Sequence, residues 1–314
     1  MHDDITDIPG IRVGHDTNLE AGTGCTVIRC ETPAVGGVDV RGGAPATRET
    51  DLLHPLYMVQ EVHAVVLTGG SAYGLDAASG VMRYLEEHNV GLDTGVARVP
   101  IVPAAAIFDL GFGSPHVRPD ATAGYHACTQ ATAEATPQGN VGAGTGATVG
   151  KMLGPAFLMK GGLGSASMRM DDGTLVGAIV VVNAVGDVID PQTQQTIAGA
   201  RNPLGGFILP NPFGNTTIAV VATDTSLSKE NVNKVAQMAH NGLAQAIRPA
   251  HTMFDGDTVF ALALGPRGQT PPDPATSGSR VSSIGAAAAI TLARAIVKAV
   301  RAATDLYGVP AAHG

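Results

Sequence analysis

Thr216 could supply a nucleophile in this 314-residue chain. It follows Asn215 at the point where a segment rich in proline and glycine, residues 201–215, meets an apolar run. A threonine hydroxyl needs a base, and the α-amino group of the same residue can serve when that residue is a chain terminus. Two interpretations follow: the chain breaks between Asn215 and Thr216, or Thr216 is an ordinary first residue of a strand.

His251, Asp255 and Asp257 form a second group with chemical potential. One histidine and two aspartates could hold a transition metal, although their spacing matches no zinc signature. On an extended segment, residues two apart project to the same side. Two carboxylates placed in this way need a cation or a hydrogen-bonded partner. The cation could be a metal, a lysine or an ammonium terminus, and a simple polar turn is the alternative.

Glycine-rich segments invite a phosphate-binding interpretation, which their context does not favour. Residues 142–147 fit the G-x-G-x-x-G/A pattern, but no strand precedes them. Residues 146–151 are one residue too short for a P-loop, and Met152 stands where Ser or Thr is required. Residues 69–73 resemble a nucleophile elbow, except that Tyr73 replaces its last glycine. These glycines therefore predict tight turns and close backbone approach.

The pattern of apolar residues predicts the strands and helices around these candidate residues. Unbroken apolar runs predict strands covered on both faces at residues 64–67, 176–182, 217–222 and 259–264. Apolar residues at helical spacing predict one helix capped by Ser228 and another from Val281, and residues 71–87 indicate a third. Residues 201–215 and 265–279 contain too many breakers for a helix or a central strand and are predicted to be loops. The mixture predicts an α/β or α+β fold with helices on sheet faces.

Composition and charge exclude several classes of protein. Lys and Arg number 19 and Asp and Glu 27, so the net charge is −8, which provides no attraction to nucleic acid or anionic lipid. Three cysteines are too few for a disulfide framework and indicate a reducing compartment. The first seven residues lack the basic start and apolar core of a signal peptide. The apolar stretch 284–300 contains Arg294 and Lys298, and is therefore a poor membrane span. We expect a cytoplasmic protein without nucleic-acid or membrane partners.

Several segments, taken together and in order, carry a family resemblance. They are residues 38–44 (VDVRGGA), 67–75 (LTGGSAYGL), 160–167 (KGGLGSAS), 181–186 (VVNAVG), 215–224 (NTTIAVVATD) and 248–261 (RPAHTMFDGDTVFA). The sequence resembles the S58 (P1) peptidase family, typified by the L-aminopeptidase D-amidase/D-esterase and the β-peptidyl aminopeptidases. The nylon-oligomer (6-aminohexanoate oligomer) hydrolases belong to the same family. The matches run through nearly the whole chain.

The resemblance implies an N-terminal-nucleophile hydrolase with a four-layer α/β/β/α sandwich. Members are made as one precursor and cut themselves into two chains that stay associated. Carried over to this sequence, a single domain of residues 1–314 is cut between Asn215 and Thr216, and yields residues 1–215 and 216–314. Thr216 becomes the nucleophile, and no cofactor is required.

The resemblance also implies roles for other residues. Lys151 lies beside the nucleophile and tunes its protonation, Asn183 donates to the oxyanion, and Asp255 and Asp257 orient Thr216 and hold its ammonium or Lys151. This pattern sides with the nylon-oligomer branch, since the aminopeptidase branch has a serine nucleophile and a Ser/Glu pair in place of the aspartates. A departure is Phe108, which stands where that branch has a tyrosine.

We therefore expect a self-processing amide hydrolase that forms an acyl-enzyme. Its substrates would be short peptides, amino-acid amides or oligoamides of ω-amino acids, with Phe108 and Tyr73 assigned to the substrate pocket. A homo-oligomer of processed pairs is expected from the resemblance. Two alternatives remain: a metal-dependent enzyme that uses His251, Asp255 and Asp257, and a non-enzymatic module that binds a small molecule.

Overall fold

Strands and helices are interspersed along the chain in the computed structural model, which describes residues 1–200, 214–266 and 274–312. The α-helices are α1 (Ala77–Glu87), α2 (Ala121–Thr129), α3 (Lys229–Ala246) and α4 (Pro274–Arg301). The strands are β1 (Ile11–Asn18), β2 (Thr23–Val40), β3 (Thr47–Arg48), β4 (Glu61–Thr68), β5 (Leu92–Asp93), β6 (Arg98–Val99), β7 (Ala104–Ala106), β8 (Thr148–Val149), β9 (Met159–Lys160), β10 (Gly162–Arg169), β11 (Leu175–Asn183), β12 (Asp187–Ile189), β13 (Thr196–Ala198), β14 (Thr216–Thr223), β15 (Ile247–Arg248) and β16 (Thr258–Ala263).

One long strand joins the two halves of the main sheet. The strand order is β10-β11-β14-β16-β2-β4-β7-β3, with β1 also paired to β2. The first part of β2 pairs with β1 and β4, and its last residues, Val35 to Val40, pair with β16. The register between β2 and β4 shifts between Arg29 and Ala34. The sheet can therefore turn from one layer into the next along β2.

The packing of apolar side chains shows that the two halves face each other. Ile28 of β2 and Leu67 of β4 belong to the same buried cluster as Ile179 of β11, Val220 of β14 and Phe260 of β16. Strands β4 and β11 are far apart in the hydrogen-bonded order. Their side chains can meet only if two sheet layers pack face to face, as in a sandwich.

Two further clusters cover the outer faces of these layers. Helices α3 and α4 pack on β10, β11, β14 and β16, whereas α1 and α2 pack on β2, β4 and β7. Along β11, Ala178 and Val180 face the helices, and Ile179 and Val181 face the opposite sheet. The layer order is therefore α/β/β/α, which confirms the predicted four-layer sandwich, and burial on both faces explains the unbroken apolar runs.

Most predicted elements are present, with differences at their ends. The predicted strands at residues 64–67, 176–182 and 217–222 lie within β4, β11 and β14, and β16 ends one residue before the predicted end at residue 264. Helix α3 is capped by Ser228, whose hydroxyl accepts a hydrogen bond from the Asn231 amide. The helix predicted at residues 71–87 begins as a 3-10 helix, Ser71–Asp76, before α1.

Helix α4 corrects one loop prediction. It begins at Pro274, whereas the prolines and glycines of residues 265–279 predict a loop. Proline is tolerated in the first turn of a helix, where its missing amide hydrogen has no intrahelical acceptor. The other predicted loop residues, 201–213 and 267–273, lie outside the described part of the chain.

The apolar helix α4 and the three cysteines are buried in the fold. Residues Ser277–Arg301 are long and apolar enough to cross a membrane, but 72% of the most apolar window is buried inside the fold, as in a core helix. Cys25, Cys30 and Cys128 are free and buried, in agreement with the absence of a disulfide framework.

Candidate active site

The ends of two neighbouring central strands bring Thr216 and Asn183 together. Thr216 is the first residue of β14, and Asn183 is the last residue of β11. The strands are antiparallel, and these two residues pair directly. Both are buried, at 4% and 1% exposure. The apolar runs that form the two strands therefore also set the separation of these two polar residues.

Two hydrogen-bond donors meet the carbonyl oxygen of the peptide bond before Thr216, namely the Thr216 hydroxyl and a backbone amide. In the continuous chain, Oγ1 of Thr216 donates a hydrogen bond to the carbonyl oxygen of Asn215. The backbone amide of Gly256 donates to the same oxygen at 3.0 Å. Gly214 has φ = +116°, a conformation that favours glycine. A hydroxyl and an amide hydrogen thus converge on the carbonyl of the predicted cleavage site.

Lys151 and Asn183 share a hydrogen-bond network with Gly214, which precedes Asn215. The Lys151 ammonium donates to Oδ1 of Asn183 at 2.8 Å, to the Asn183 carbonyl at 3.0 Å and to the carbonyl of Gly214. Because Oδ1 of Asn183 also accepts from the Thr148 amide at 3.0 Å, the orientation of its amide group is defined. Its Nδ2 donates to the carbonyls of Gly214 at 3.1 Å and Phe108 at 3.2 Å.

Burial changes the protonation of Lys151. Desolvation lowers its pKa from 10.5 to about 7, and the nearby Asp255 carboxylate opposes the shift. Burial disfavours the charged form of an amine. An amine with such a pKa can accept a proton at neutral pH, which is the property required of a general base.

Asp255 and Asp257 are buried on either side of Gly256, with 1% and 2% exposure. Oδ2 of Asp255 accepts from the Thr252 amide at 2.7 Å, and Oδ1 of Asp257 accepts from the Thr217 amide at 2.7 Å. Burial and the neighbouring Asp257 carboxylate raise the pKa of Asp255. Asp257 is thus bonded directly to the backbone of the residue that follows Thr216.

A cavity of about 510 Å³ opens beside Lys151 and Asn215. Its described lining consists of Phe108, Asp109, Gly111, Phe112, Gly113, Gly146, Thr148, Lys151, Gly154, Pro155, Leu158, Gly214, Asn215, Tyr307 and Val309. Most of this lining is apolar or glycine, and it includes Lys151 and Asn215 of the predicted cleavage site. A space of this size matches that of small-molecule sites in proteins.

The two residues assigned to the substrate pocket are placed differently. Phe108 lines the cavity and is 37% exposed. Tyr73 is 63% exposed, and the Cζ atom of Arg118 lies 3.9 Å from the centroid of its ring. The structure brings Phe108 to the cavity but does not bring Tyr73 there, because Tyr73 lies in the 3-10 helix before α1 and turns towards solvent.

The metal-site alternative receives no support from the geometry. Among the described residues, no group of three or more His, Cys, Asp or Glu side chains is arranged to hold a metal ion. Oδ2 of Asp257 accepts from Nδ1 of His251 at 2.8 Å, and Asp255 is bonded to the backbone. The partners of these carboxylates are therefore hydrogen-bond donors of the protein.

A buried lysine beside Thr148 was not identified from the sequence. Lys160 is fully buried, and its ammonium donates to the carbonyls of Thr145 at 2.8 Å and Ala147 at 2.7 Å. These contacts hold the glycine-rich turn that leads to Thr148 and hence to Asn183. Lys160 is the first residue of a segment, 160–167, that resembles the family, so the sequence pointed to this region. The sequence alone does not show that a lysine is buried.

Comparison with known proteins identifies the family. The sequence profile of peptidase family S58 matches residues 3–313. An uncharacterised aminopeptidase of Mycobacterium leprae is 46% identical in an alignment that covers 98% of this chain and 92% of that protein. A 6-aminohexanoate-oligomer endohydrolase of Kocuria sp. is 33% identical in an alignment that covers 94% of this chain and 85% of that protein.

Solved structures share the fold. A β-aminopeptidase of Burkholderia sp. superposes with a TM-score of 0.74 at 24% identity and covers 100% of this chain and 91% of its own. The L-aminopeptidase D-Ala-esterase/amidase of Ochrobactrum anthropi, a variant of the N-terminal-nucleophile hydrolase fold, superposes with a TM-score of 0.74 at 20% identity over 98% of this chain and 88% of its own. The chain belongs to peptidase family S58 and, as a member of it, is an amide-bond hydrolase.

Proposed function

We propose that this protein cleaves its own chain between Asn215 and Thr216 and then hydrolyses amides with the new terminal threonine. The observation that carries the proposal is that Oγ1 of Thr216 donates to the carbonyl oxygen of Asn215, which also accepts from the Gly256 amide at 3.0 Å. Attack of Oγ1 on this carbonyl carbon forms an ester and releases the α-amine of Thr216. Water then hydrolyses the ester, and the two chains are complete.

Hydrolysis of a substrate would use the same atoms. The freed α-amine takes the proton of Oγ1 as the oxygen attacks the substrate carbonyl, and the leaving amine departs with a proton. Water then releases the acid from the acyl-enzyme. Nδ2 of Asn183, which donates to the Gly214 carbonyl at 3.1 Å in the continuous chain, becomes available for the substrate oxygen when this segment departs.

The substrate class is supported by the cavity and by the relatives. A largely apolar space of about 510 Å³ beside Asn215 suits a short amide with an aliphatic chain. The relatives include an aminopeptidase and an endohydrolase of 6-aminohexanoate oligomers. We propose short peptides, amino-acid amides and ω-amino-acid oligoamides as substrates. Cytoplasmic location and assembly into a homo-oligomer stay predictions.

The test is electrophoresis and mass spectrometry of the purified protein, with Thr216→Ala and Thr216→Ser in parallel. We expect the parent to yield two fragments, the smaller of which begins at Thr216, and to hydrolyse members of an amide panel. Thr216→Ala should stay intact and inactive because it lacks the hydroxyl. Thr216→Ser keeps a hydroxyl and should still be cleaved. A parent that remains one chain and equals Thr216→Ala in both assays would refute the proposal.

A further inference from the structure

Asp257 depends on a side chain that the reaction described above does not use. Oδ1 of Asp257 accepts from the Thr217 amide at 2.7 Å, so this carboxylate holds the backbone next to the nucleophile. Its other oxygen, Oδ2, accepts from the His251 amide at 2.9 Å and from Nδ1 of the same histidine at 2.8 Å. One residue therefore supplies both donors on the far side of the carboxylate.

We propose that His251 is a positioning residue, which holds the Asp257 carboxylate against the backbone of Thr217 and so fixes Thr216 for attack. The inference rests on the proposed function, since it concerns the same nucleophile. Because a carboxylate accepts hydrogen bonds, Nδ1 is the nitrogen that carries the hydrogen in this contact. Asp257 is 2% exposed, and few water molecules could replace a lost donor.

The imidazole of His251 packs against a second histidine, His240. Its ring packs edge-to-face on the ring of His240, with centroids 4.8 Å apart. His240 is fully buried in α3, and its Nε2 lies 2.9 Å from the carbonyl oxygen of Asp39 in β2. Helix α3, which packs on the sheet, therefore supports the His251 ring. Tertiary packing thus orients the contact between His251 and Asp257.

The backbone at His251 allows a matched set of variants. Its φ is +60°, a conformation that Asn, Asp and Gly also adopt. The Nδ2 atom of an asparagine reaches the position of Nδ1, so His251→Asn keeps the donor. His251→Gly removes the donor without backbone strain, and His251→Asp matches the size of asparagine but places a carboxyl group beside Asp257.

The first experiment follows self-cleavage and steady-state amide hydrolysis. We expect His251→Gly to lower the cleavage rate and kcat by about tenfold or more with little change in KM, because one hydrogen bond to a buried carboxylate is lost. His251→Asn should stay within about threefold of the parent. His126→Ala is the control, since it removes a histidine–aspartate contact of 2.7 Å at the surface, with Asp16, and should change neither rate.

A second readout does not depend on activity. In a Thr216→Ala background, which cannot cleave, hydrogen exchange of the Thr217 amide should be faster in His251→Gly and unchanged in His251→Asn. If His251→Gly does not fold, the comparison of His251→Asn with His251→Asp decides, and the Asp variant should show the loss of rate and of protection.

The outcomes separate this inference from the proposed function. Recovery by asparagine together with loss in glycine or aspartate supports the positioning role. Equal rates and equal exchange in all variants, with Thr216→Ala inactive, would overturn the role of His251 and leave the proposed function in place. A parent that neither cleaves nor hydrolyses amides would overturn both.

Discussion

Lys151 and Asn183 are held in place mainly by hydrogen bonds that involve backbone atoms. The ammonium of Lys151 and Nδ2 of Asn183 both donate to the carbonyl of Gly214, and the Thr148 amide completes the bonds of the Asn183 side chain. Buried polar groups that lose such a partner pay a desolvation penalty. At the scale of residues, therefore, small changes in shape or protonation should affect cleavage strongly.

The pH dependence of self-cleavage should report on Lys151. Burial holds its pKa at about 7, so the amine becomes neutral as the pH rises through that value. The α-amine of Thr216 is still in a peptide bond in the precursor and cannot titrate. If the neutral amine assists Thr216, the cleavage rate of freshly synthesised precursor rises through pH 7 and then levels.

Lys151→Arg provides the comparison, because its guanidinium stays protonated. We expect its cleavage rate to fall by about 10²-fold and its rise through pH 7 to disappear, as for the loss of a general base. The same profile in the parent and the Arg variant would contradict a role for the amine of Lys151.

Gly256 should tolerate no side chain. A Cβ at this position would lie 2.7 Å from Oγ1 of Thr216, closer than real contacts allow. We expect Gly256→Ala to slow self-cleavage by at least about tenfold, because displacement of the nucleophile is costly to rate. Electrophoresis over time measures the effect. Gly278→Ala, whose Cβ would meet nothing within 4 Å, is the control, and equal rates in the two variants would refute the prediction.

At the scale of elements, the central strands carry both the core and the site. Strands β14 and β16 are parallel neighbours, and the residues just before them include Asn215 and Asp257. Their inward side chains fill the space between the two sheet layers, among them Ile218 and Phe260. The position of the polar strand ends therefore depends on how these layers pack.

Removal of a large side chain from this layer should destabilise the fold. Phe260 is fully buried in β16, and Phe260→Ala should lower the free energy of unfolding by about 3–5 kcal/mol through lost burial and a cavity. Ile290→Ala in α4, where the side chain is 49% exposed, should change it by less than about 0.5 kcal/mol. Denaturant unfolding measures both, and comparable losses would contradict the assigned packing.

At the scale of the whole molecule, the predicted cut does not divide the fold. Strand β14 begins at Thr216 and pairs with β11 of the first fragment, and β16 of the second fragment pairs with β2 of the first. The cavity is lined from both sides of the cut, by Phe108 and Lys151 before it and by Tyr307 and Val309 after it. Neither fragment contains the whole core or the whole site.

We therefore expect the fragments to remain together after cleavage. Gel filtration of the processed protein should give one peak that contains both chains, and their separation should require denaturant because the shared sheet and its buried side chains must be disrupted. Thr216→Ala, which we expect to stay intact, should elute at the same volume. Two separate peaks under native conditions would contradict the shared-sheet architecture.

The sequence alone determined the types of the elements and the family. Local information suffices for these, since the apolar runs at β4, β11 and β14 and the Ser228 cap of α3 each lie within a few residues. The motifs around Thr216 and Asp255 supported the membership that the comparisons establish. The predicted start of α4 was wrong. The prolines and glycines of residues 265–279 predict a loop, but the helix already begins at Pro274.

Tertiary structure decided which atoms meet. The division of β2 between two layers, the burial of Lys160 and the contact between His251 and Asp257 each depend on residues distant in sequence or on the bend of a loop. The Gly256 amide donates a hydrogen bond to the Asn215 carbonyl. Because every non-proline residue has a backbone amide, the residue type at position 256 does not predict this contact. The sequence gives the identity of each side chain directly. Packing of the layers decides which side chains are buried and which acceptor each backbone amide meets.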